Sequence, residues 1–250
     1  YALDPVLLAA VIALTVLGTV MVTSASISIA DRQAGEPFMY LARHGLALAL
    51  GFGAATLAAL VPSEIWYRAH PLLLLLALAL LALVLVPGLG ITVNGARRWF
   101  ALGPFTLQAS EPARLLLLLY LAGYATQRGE ALCSSTAGFL RPLVMVGAAA
   151  ALLLAEPDFG AAVVVAATSL GLLFVGGARW REMTAALVLG GGLLGVLAVS
   201  SAYRVQRLTA FLDPWADPLN TGFQLTQSLI AIGRGDWFGV GLGASVQKLF

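Results

Sequence analysis

Charge is what this chain has least of. Only 10% of its 250 residues are Asp, Glu, Lys or Arg, against roughly a quarter in an ordinary soluble domain. With 60% hydrophobic residues and a mean hydropathy of +0.93, it has too little polar surface to coat a soluble globule. That excludes the soluble class and leaves an integral membrane protein. A single cysteine, Cys133, excludes an intrachain disulfide framework and a thiolate metal site. Two histidines, His44 and His70, are too few for a His-based metal centre, and all three residues are read as structural. No basic cluster or basic helix face is present, so nucleic acid is not an expected partner.

What the chain has in abundance is long apolar runs. A spanning helix needs about 20 mostly apolar residues. Seven segments are read this way: Pro5–Ser26, Leu46–Val61, Pro71–Val86, Pro112–Tyr124, Leu140–Ala155, Phe159–Val175 and Met183–Val199. They predict an all-α, polytopic membrane helix bundle, because backbone in lipid must satisfy its own hydrogen bonds. Barrel strands would be shorter and alternating. Gly51, Gly53, Ala148–Ala151 and Gly190–Gly192 suit close helix packing. No internal repeat is apparent, which argues against an inverted-repeat transporter. The first run reads as a span rather than a cleavable leader. The sequence starts at Tyr1 and stops at Phe250 inside a Gly-rich segment, and the expectation is a piece of a longer protein, truncated at both ends.

Seven spans would put two sets of loops on opposite sides. One set (62–70, 125–139, 176–182) carries or borders Arg68, Arg128, Arg141, Arg179 and Arg181. The other (27–45, 87–111, 155–158, 201–250) holds Arg32, Arg43, Arg97, Arg98, Arg204, Arg207, Arg234 and Lys248. Counted over short loops the two sets nearly balance, so the positive-inside rule does not orient the chain. The second set also gathers Asp31, Glu36, Glu111, Glu156, Asp158, Asp213, Asp217 and Asp236. Both signs on one side mark a candidate site.

Within that set, Asn94-Gly95 marks a turn. The following Arg97-Arg98-Trp99-Phe100 fits either a phosphate, which guanidinium groups match bidentately, or an anchor at headgroup level. Ser110-Glu111-Pro112-Ala113-Arg114 opens a span: Ser110 can cap it, and Glu111 and Arg114 are spaced to pair on one face. They read equally as a helix-end pair or as functional charges entering the membrane. In Glu156-Pro157-Asp158 both carboxylates must lie near the membrane surface, and Asp158 is expected to cap the next helix. Asp213-Pro214-Trp215-Ala216-Asp217-Pro218 cannot be continuous helix, and Gly222-Phe223-Gln224 comes after it. Rigid Asp-Pro turns can fix a carboxylate, and one near a low-dielectric surface can have a raised pKa and act as a general base. The residues alone do not choose between Asp213 and Asp217. Gly233-Arg234-Gly235 and Gly239–Gly243 match no nucleotide-binding loop.

Three blocks, NGARRWFALGPFTLQASEPAR (94–114), EPDFGAAVV (156–164) and FLDPWADPLNTGFQLTQSLIAIGRGDWFGVGLGASVQKL (211–249), resemble in order the SEDS (shape, elongation, division and sporulation) family. The last block is closest to the family's division branch. The resemblance implies about ten spans in the intact protein. It also implies a single transmembrane domain over 1–250, with 201–250 an extracytoplasmic catalytic loop. The implied activity is a peptidoglycan glycosyltransferase that polymerises lipid II during septal synthesis, in the bacterial inner membrane at the division septum. The family pattern puts the essential carboxylate at Asp217 rather than Asp213. Arg114 stands where relatives often carry Lys.

The resemblance further implies that Asp217 is the base for the acceptor hydroxyl. Arg98, Arg114, Arg204 and Arg207, with Glu111 and Gln224, would bind substrate. A divalent cation, Mg or Mn, is admitted as cofactor, but no spacing demands one. The implied partners are lipid II, a class B penicillin-binding transpeptidase and other division proteins. Two other readings stay open. A lipid II flippase would be most sensitive at mid-bilayer depth, where ionisable residues are nearly absent. A division scaffold without catalysis would make the loop carboxylates dispensable.

Overall fold

The computed structural model describes residues 4–93, 95–103, 105–241 and 244. Asn94, Pro104, Lys248 and most of the terminal GLGASVQKL block lie outside the described residues. The chain packs as two compact units, one formed by Tyr1–Leu60 with Ala198–Phe250 and the other by Val61–Leu197.

The first unit begins with α1 (Pro5–Ala34) and α2 (Met39–Leu60), which pack together. Asp4 caps α1, its carboxylate accepting from the N–H groups of Val6 and Leu7 at 2.8 and 3.2 Å. Proline at the first helical position costs nothing there, because that N–H has no helical partner. Gly35, with φ +67°, ends the helix in the left-handed region. Both helices leave most of their large aliphatic side chains exposed, as a lipid-facing surface requires.

The second unit holds α3 (Ser63–Leu85), a sheet of β1 (Gly90–Val93), β2 (Ala96–Leu102) and β3 (Phe105–Gln108), then α4 (Ser110–Gln127), α5 (Gly129–Ser134), α6 (Thr136–Ala155), α7 (Phe159–Val175) and α8 (Trp180–Val199). Leu81, Val84, Leu117, Leu121, Val146, Leu153 and Leu173 fill the core between α3, α4, α6 and α7. The loops around 62–70, 125–139 and 176–182 meet at one end of this unit, as their grouping in the sequence required. There the Gln127 amide donates to the Tyr67 carbonyl at 3.0 Å, and Arg179 donates to the Ser134 carbonyl at 3.1 Å. In the first unit the chain continues through α9 (Ala202–Leu212) and α10 (Phe223–Gly235).

A helix stands at each of the seven expected spans. Five (α1, α2, α3, α6 and α8) are long and apolar enough to cross a membrane. At 17 residues α7 is shorter, and α4 carries Glu111, Arg114 and a polar last turn. Several helices outrun the apolar runs that announce them, since polar residues at interfacial ends extend a helix without registering as hydrophobic.

One expectation is corrected. Residues 90–93, 96–102 and 105–108 form a three-stranded antiparallel meander where a plain loop was expected. Within 201–250 two helices flank a short non-helical link that contains Asp213 and Asp217.

Candidate functional site

The candidate side chains gather in two places, one in each unit.

In the first unit α9 stops where Pro214 removes a backbone donor, and α10 starts at Phe223. The link between them is closed by hydrogen bonds. Asp217 Oδ1 accepts from Asn220 Nδ2 at 3.0 Å. Its Oδ2 accepts from Thr221 N at 3.2 Å and Thr221 Oγ1 at 3.0 Å. The Asp217 carbonyl accepts from Gly222 N at 3.0 Å, and the buried Thr226 hydroxyl donates to the Pro214 carbonyl at 3.1 Å. Gly222 is required by space: a Cβ there would collide with the Pro214 carbonyl oxygen. Donors aimed at the ionised form stabilise it. The Thr221 N–H foremost, then the Asn220 amide and the Thr221 hydroxyl, hold the Asp217 carboxyl below the usual aspartate range. This corrects the expectation of a raised pKa, because the turn supplies donors where a bare low-dielectric surface would supply none. Asp217 is thus a fixed, half-exposed anion with lone pairs to spare. Among the described residues, no hydrogen bond reaches the Asp213 side chain.

The other expected residues of this unit lie on the flanking helices. Arg207 stacks on the Tyr203 ring at 5.1 Å, and Arg204 is half-buried one turn away on α9. Gln224 is exposed in the first turn of α10. Among the described residues, neither arginine pairs with Asp217.

In the second unit the meander presses onto the helix ends. Gly95, with φ +77°, turns β1 into β2. Ile91 pairs with Trp99 but Thr92 pairs with Arg97, so Arg98 is the extra residue of a β-bulge. Regular alternation would send Arg97 and Arg98 to opposite faces; the bulge re-aims the strand, and both reach helix ends. Arg97 Nη1 donates to the Leu85 carbonyl at 2.8 Å, closing the end of α3. Arg98 Nε donates to the Glu156 carbonyl at 3.1 Å and its Nη2 to the Pro157 carbonyl. Arg98 also lies 3.9 Å from the Asp158 carboxylate. Asp158 in turn accepts from Gln108 Nε2 at 3.1 Å and caps α7 through Ala161 N at 3.1 Å, the capping role read from its position.

Glu156 is the unexpected member. Its side chain is fully buried, and neither carboxyl oxygen has a hydrogen-bond partner among the described residues. Burial foremost, and the nearby Asp158 charge, push it up to about 8 despite the opposing Arg98. At the start of α4, Glu111 and Arg114 pair at 2.6 Å, as their spacing predicted. The expected Ser110 cap is corrected: Ala109 holds the cap position, and the buried Ser110 hydroxyl has no partner among the described residues.

Sequence reasoning passed over Gln108, Asn220, Thr221 and Thr226. An Asp followed three and four residues on by Asn and Thr is a legible signal of a carboxylate gripped by its own turn. Gln108 left no signal, since its partner lies 50 residues away.

Apolar helices with charged clusters at their ends define a multi-pass membrane protein. A family model described as cell cycle protein, covering FtsW, RodA and SpoVE, matches residues 5–250, and the chain belongs to that family. It is 56% identical over 248 residues to the probable peptidoglycan glycosyltransferase FtsW of Thioalkalivibrio sulfidiphilus, covering 99% of this chain and 62% of that protein. It is 54% identical to the same-named protein of Nitrosococcus halophilus, covering 99% and 64%. The chain therefore spans under two thirds of the length of these relatives. Among solved structures, a peptidoglycan synthase complex coordinating polymerization and crosslinking aligns with TM-score 0.68 and 32% identity, over 90% of this chain and 65% of that one. The rod shape determining protein RodA of Thermus thermophilus aligns with TM-score 0.57 and 27% identity, over 88% and 72%.

Proposed function

We propose that the protein is a peptidoglycan glycosyltransferase of cell division. It polymerises lipid II at the outer face of the bacterial inner membrane, at the septum, alongside a class B penicillin-binding transpeptidase. The names borne by the relatives support the reaction class, and the synthase complex among the structural neighbours supports a transpeptidase partner. Within the chain, one observation carries the reading: Asp217 is held ionised and immobile by three donors in the α9–α10 link.

In this reading the acceptor sugar hydroxyl attacks the anomeric carbon of the donor as the bond to pyrophosphate breaks. Asp217 receives the hydroxyl proton, and the pyrophosphate leaves on its lipid. Because Asp217 is a weak base, its proton transfer follows bond formation rather than preceding it. Its fixed orientation supplies much of the advantage.

Two lipid-borne pyrophosphates accompany each transfer, one per substrate. The guanidinium groups of Arg204 and Arg207, on α9 in the unit that holds Asp217, are suited to carry such charge; Arg98 and Arg114 are phosphate-ligand candidates of the other unit, taken by itself. Glu111 holds Arg114 in place, and exposed Gln224 offers an amide to a sugar. Among the described residues no group of three or more acids, histidines or cysteines could cage a metal. A divalent cation, were one used, would be held through the Asp217 carboxylate and would supply positive charge for the departing pyrophosphate.

Lipid II polymerisation by the full-length protein, with and without its transpeptidase, tests the reading. Asp217→Asn is expected to lower glycan synthesis at least ~100-fold while membrane insertion is unchanged. Near-normal glycan chains from that variant would overturn it.

A further inference from the structure

Arg98 reaches two backbone carbonyls of the α6–α7 turn and lies 3.9 Å from the Asp158 carboxylate, yet makes no hydrogen bond to the buried Glu156 carboxyl of the same turn. A buried ionised carboxylate beside a guanidinium would be expected to capture it, because an unpaired buried charge is among the most costly features a protein can hold. The arrangement seen is the one a neutral acid permits. The charged groups that face Glu156 are Asp158, at the start of α7, and Arg98 on β2. Gln108 on β3 is neutral and is engaged with Asp158.

We propose that Glu156 is a positioning residue for Arg98. Kept neutral, it leaves the guanidinium on the Glu156 and Pro157 carbonyls with its outer donors available. Ionised, it draws the guanidinium inward to pair with itself. The consequence for substrate rests on the reading of Arg98 as a pyrophosphate ligand.

The geometry supports a switch rather than a static tether. Arg98 is the extra residue of a bulge, outside the β1 ladder, and its carbonyl accepts from Ala109 N at 3.0 Å, so any exchange of partners belongs to its side chain. Its Nε and one Nη2 hydrogen are committed, while the guanidinium carries five N–H donors in all. Its side chain is 30% exposed, whereas Glu156 is fully buried. Exchanging a carbonyl partner for the Glu156 carboxylate would change which donors face outward. The neutral form prevails at pH 7 and the ionised form above about 8.

The test uses full-length protein in liposomes, wild type against Glu156→Gln, which is permanently neutral. Infrared difference spectra between pH 7 and pH 9 are expected to show loss of a protonated-carboxyl band in wild type and no such loss in the variant. The KM for lipid II is expected to rise about tenfold over the same range in wild type and to stay flat in the variant, with kcat tracking equally in both. No titrating carboxyl band, or the same alkaline rise in KM in Glu156→Gln, would overturn the proposal. Arg98→Lys separates this failure from failure of the pyrophosphate reading. An unchanged KM at pH 7 in Arg98→Lys removes Arg98 from substrate binding, whatever Glu156 does.

Discussion

Asp217 sits in a turn that fixes both its orientation and its charge. Three donors on one carboxylate keep it ionised, and an acid limb in the pH–rate profile should report that ionisation. Thr221→Val removes the hydroxyl donor but keeps the backbone N–H. A folded carboxyl held low by its donors rises when one is lost. The acid limb should then move to higher pH by up to about one unit, read from initial rates of lipid II polymerisation across the acid range. An unmoved limb would mean that Asp217 is not the titrating group. Resemblance favoured Asp217 over Asp213, and the two prolines did not, since both acids precede one. Their downstream neighbours separate them: Asn220 and Thr221 stand at the right distance after Asp217, and nothing equivalent stands after Asp213.

Elements place these residues by a few close contacts. Gly222 has an ordinary backbone conformation, φ −86°, so its need is spatial. Gly222→Ala would push the Pro214 carbonyl outward and open the Asp217 turn. We expect at least a tenfold loss of polymerisation with unchanged helix content by circular dichroism, roughly what a small misplacement of a catalytic group costs. In the other unit the meander is fastened to the helices mainly by Arg97, Arg98 and Gln108. Arg98→Leu leaves two carbonyls of the α6–α7 turn without their donor. It should cost about 2 kcal/mol of stability, measured by thermal unfolding in detergent. The strands were hidden in the sequence because each is short and alternation is broken by the bulge. Of what was visible there, Gly95 turns one strand into the next, and the paired arginines fasten the second strand to the helix ends.

For the molecule as a whole, hydropathy made the helices legible and left their boundaries and end structures obscure. Long Leu-, Ala- and Val-rich runs announce burial in lipid or core regardless of neighbours, whereas a meander depends on pairing between distant residues. Burial of Glu156 was illegible for the same reason: Glu-Pro-Asp reads as two carboxylates near the membrane surface, and a partner such as Arg98 lies 58 residues away. That burial should register in the pH dependence of stability. The folded pKa of Glu156 is raised above the ordinary carboxylate value, so the folded state holds a proton that the unfolded state releases. Stability from this group is full below about pH 4.5, declines as pH rises, and is lost by about 8. Glu156→Gln should therefore gain on wild type by up to about 5 kcal/mol between about pH 4.5 and 8 and no further above it, read as a widening and then constant gap in Tm.

The bulge at Arg98 also bears on how this gene can change. Losing that single codon would give a more regular hairpin, with every remaining strand partner retained. The shortened protein would lose the two Arg98 bonds to the α6–α7 turn and keep only the Gln108 bond to Asp158. Length variation in this stretch would be filtered by what one surplus residue holds down, while the neatness of the ladder would go unselected.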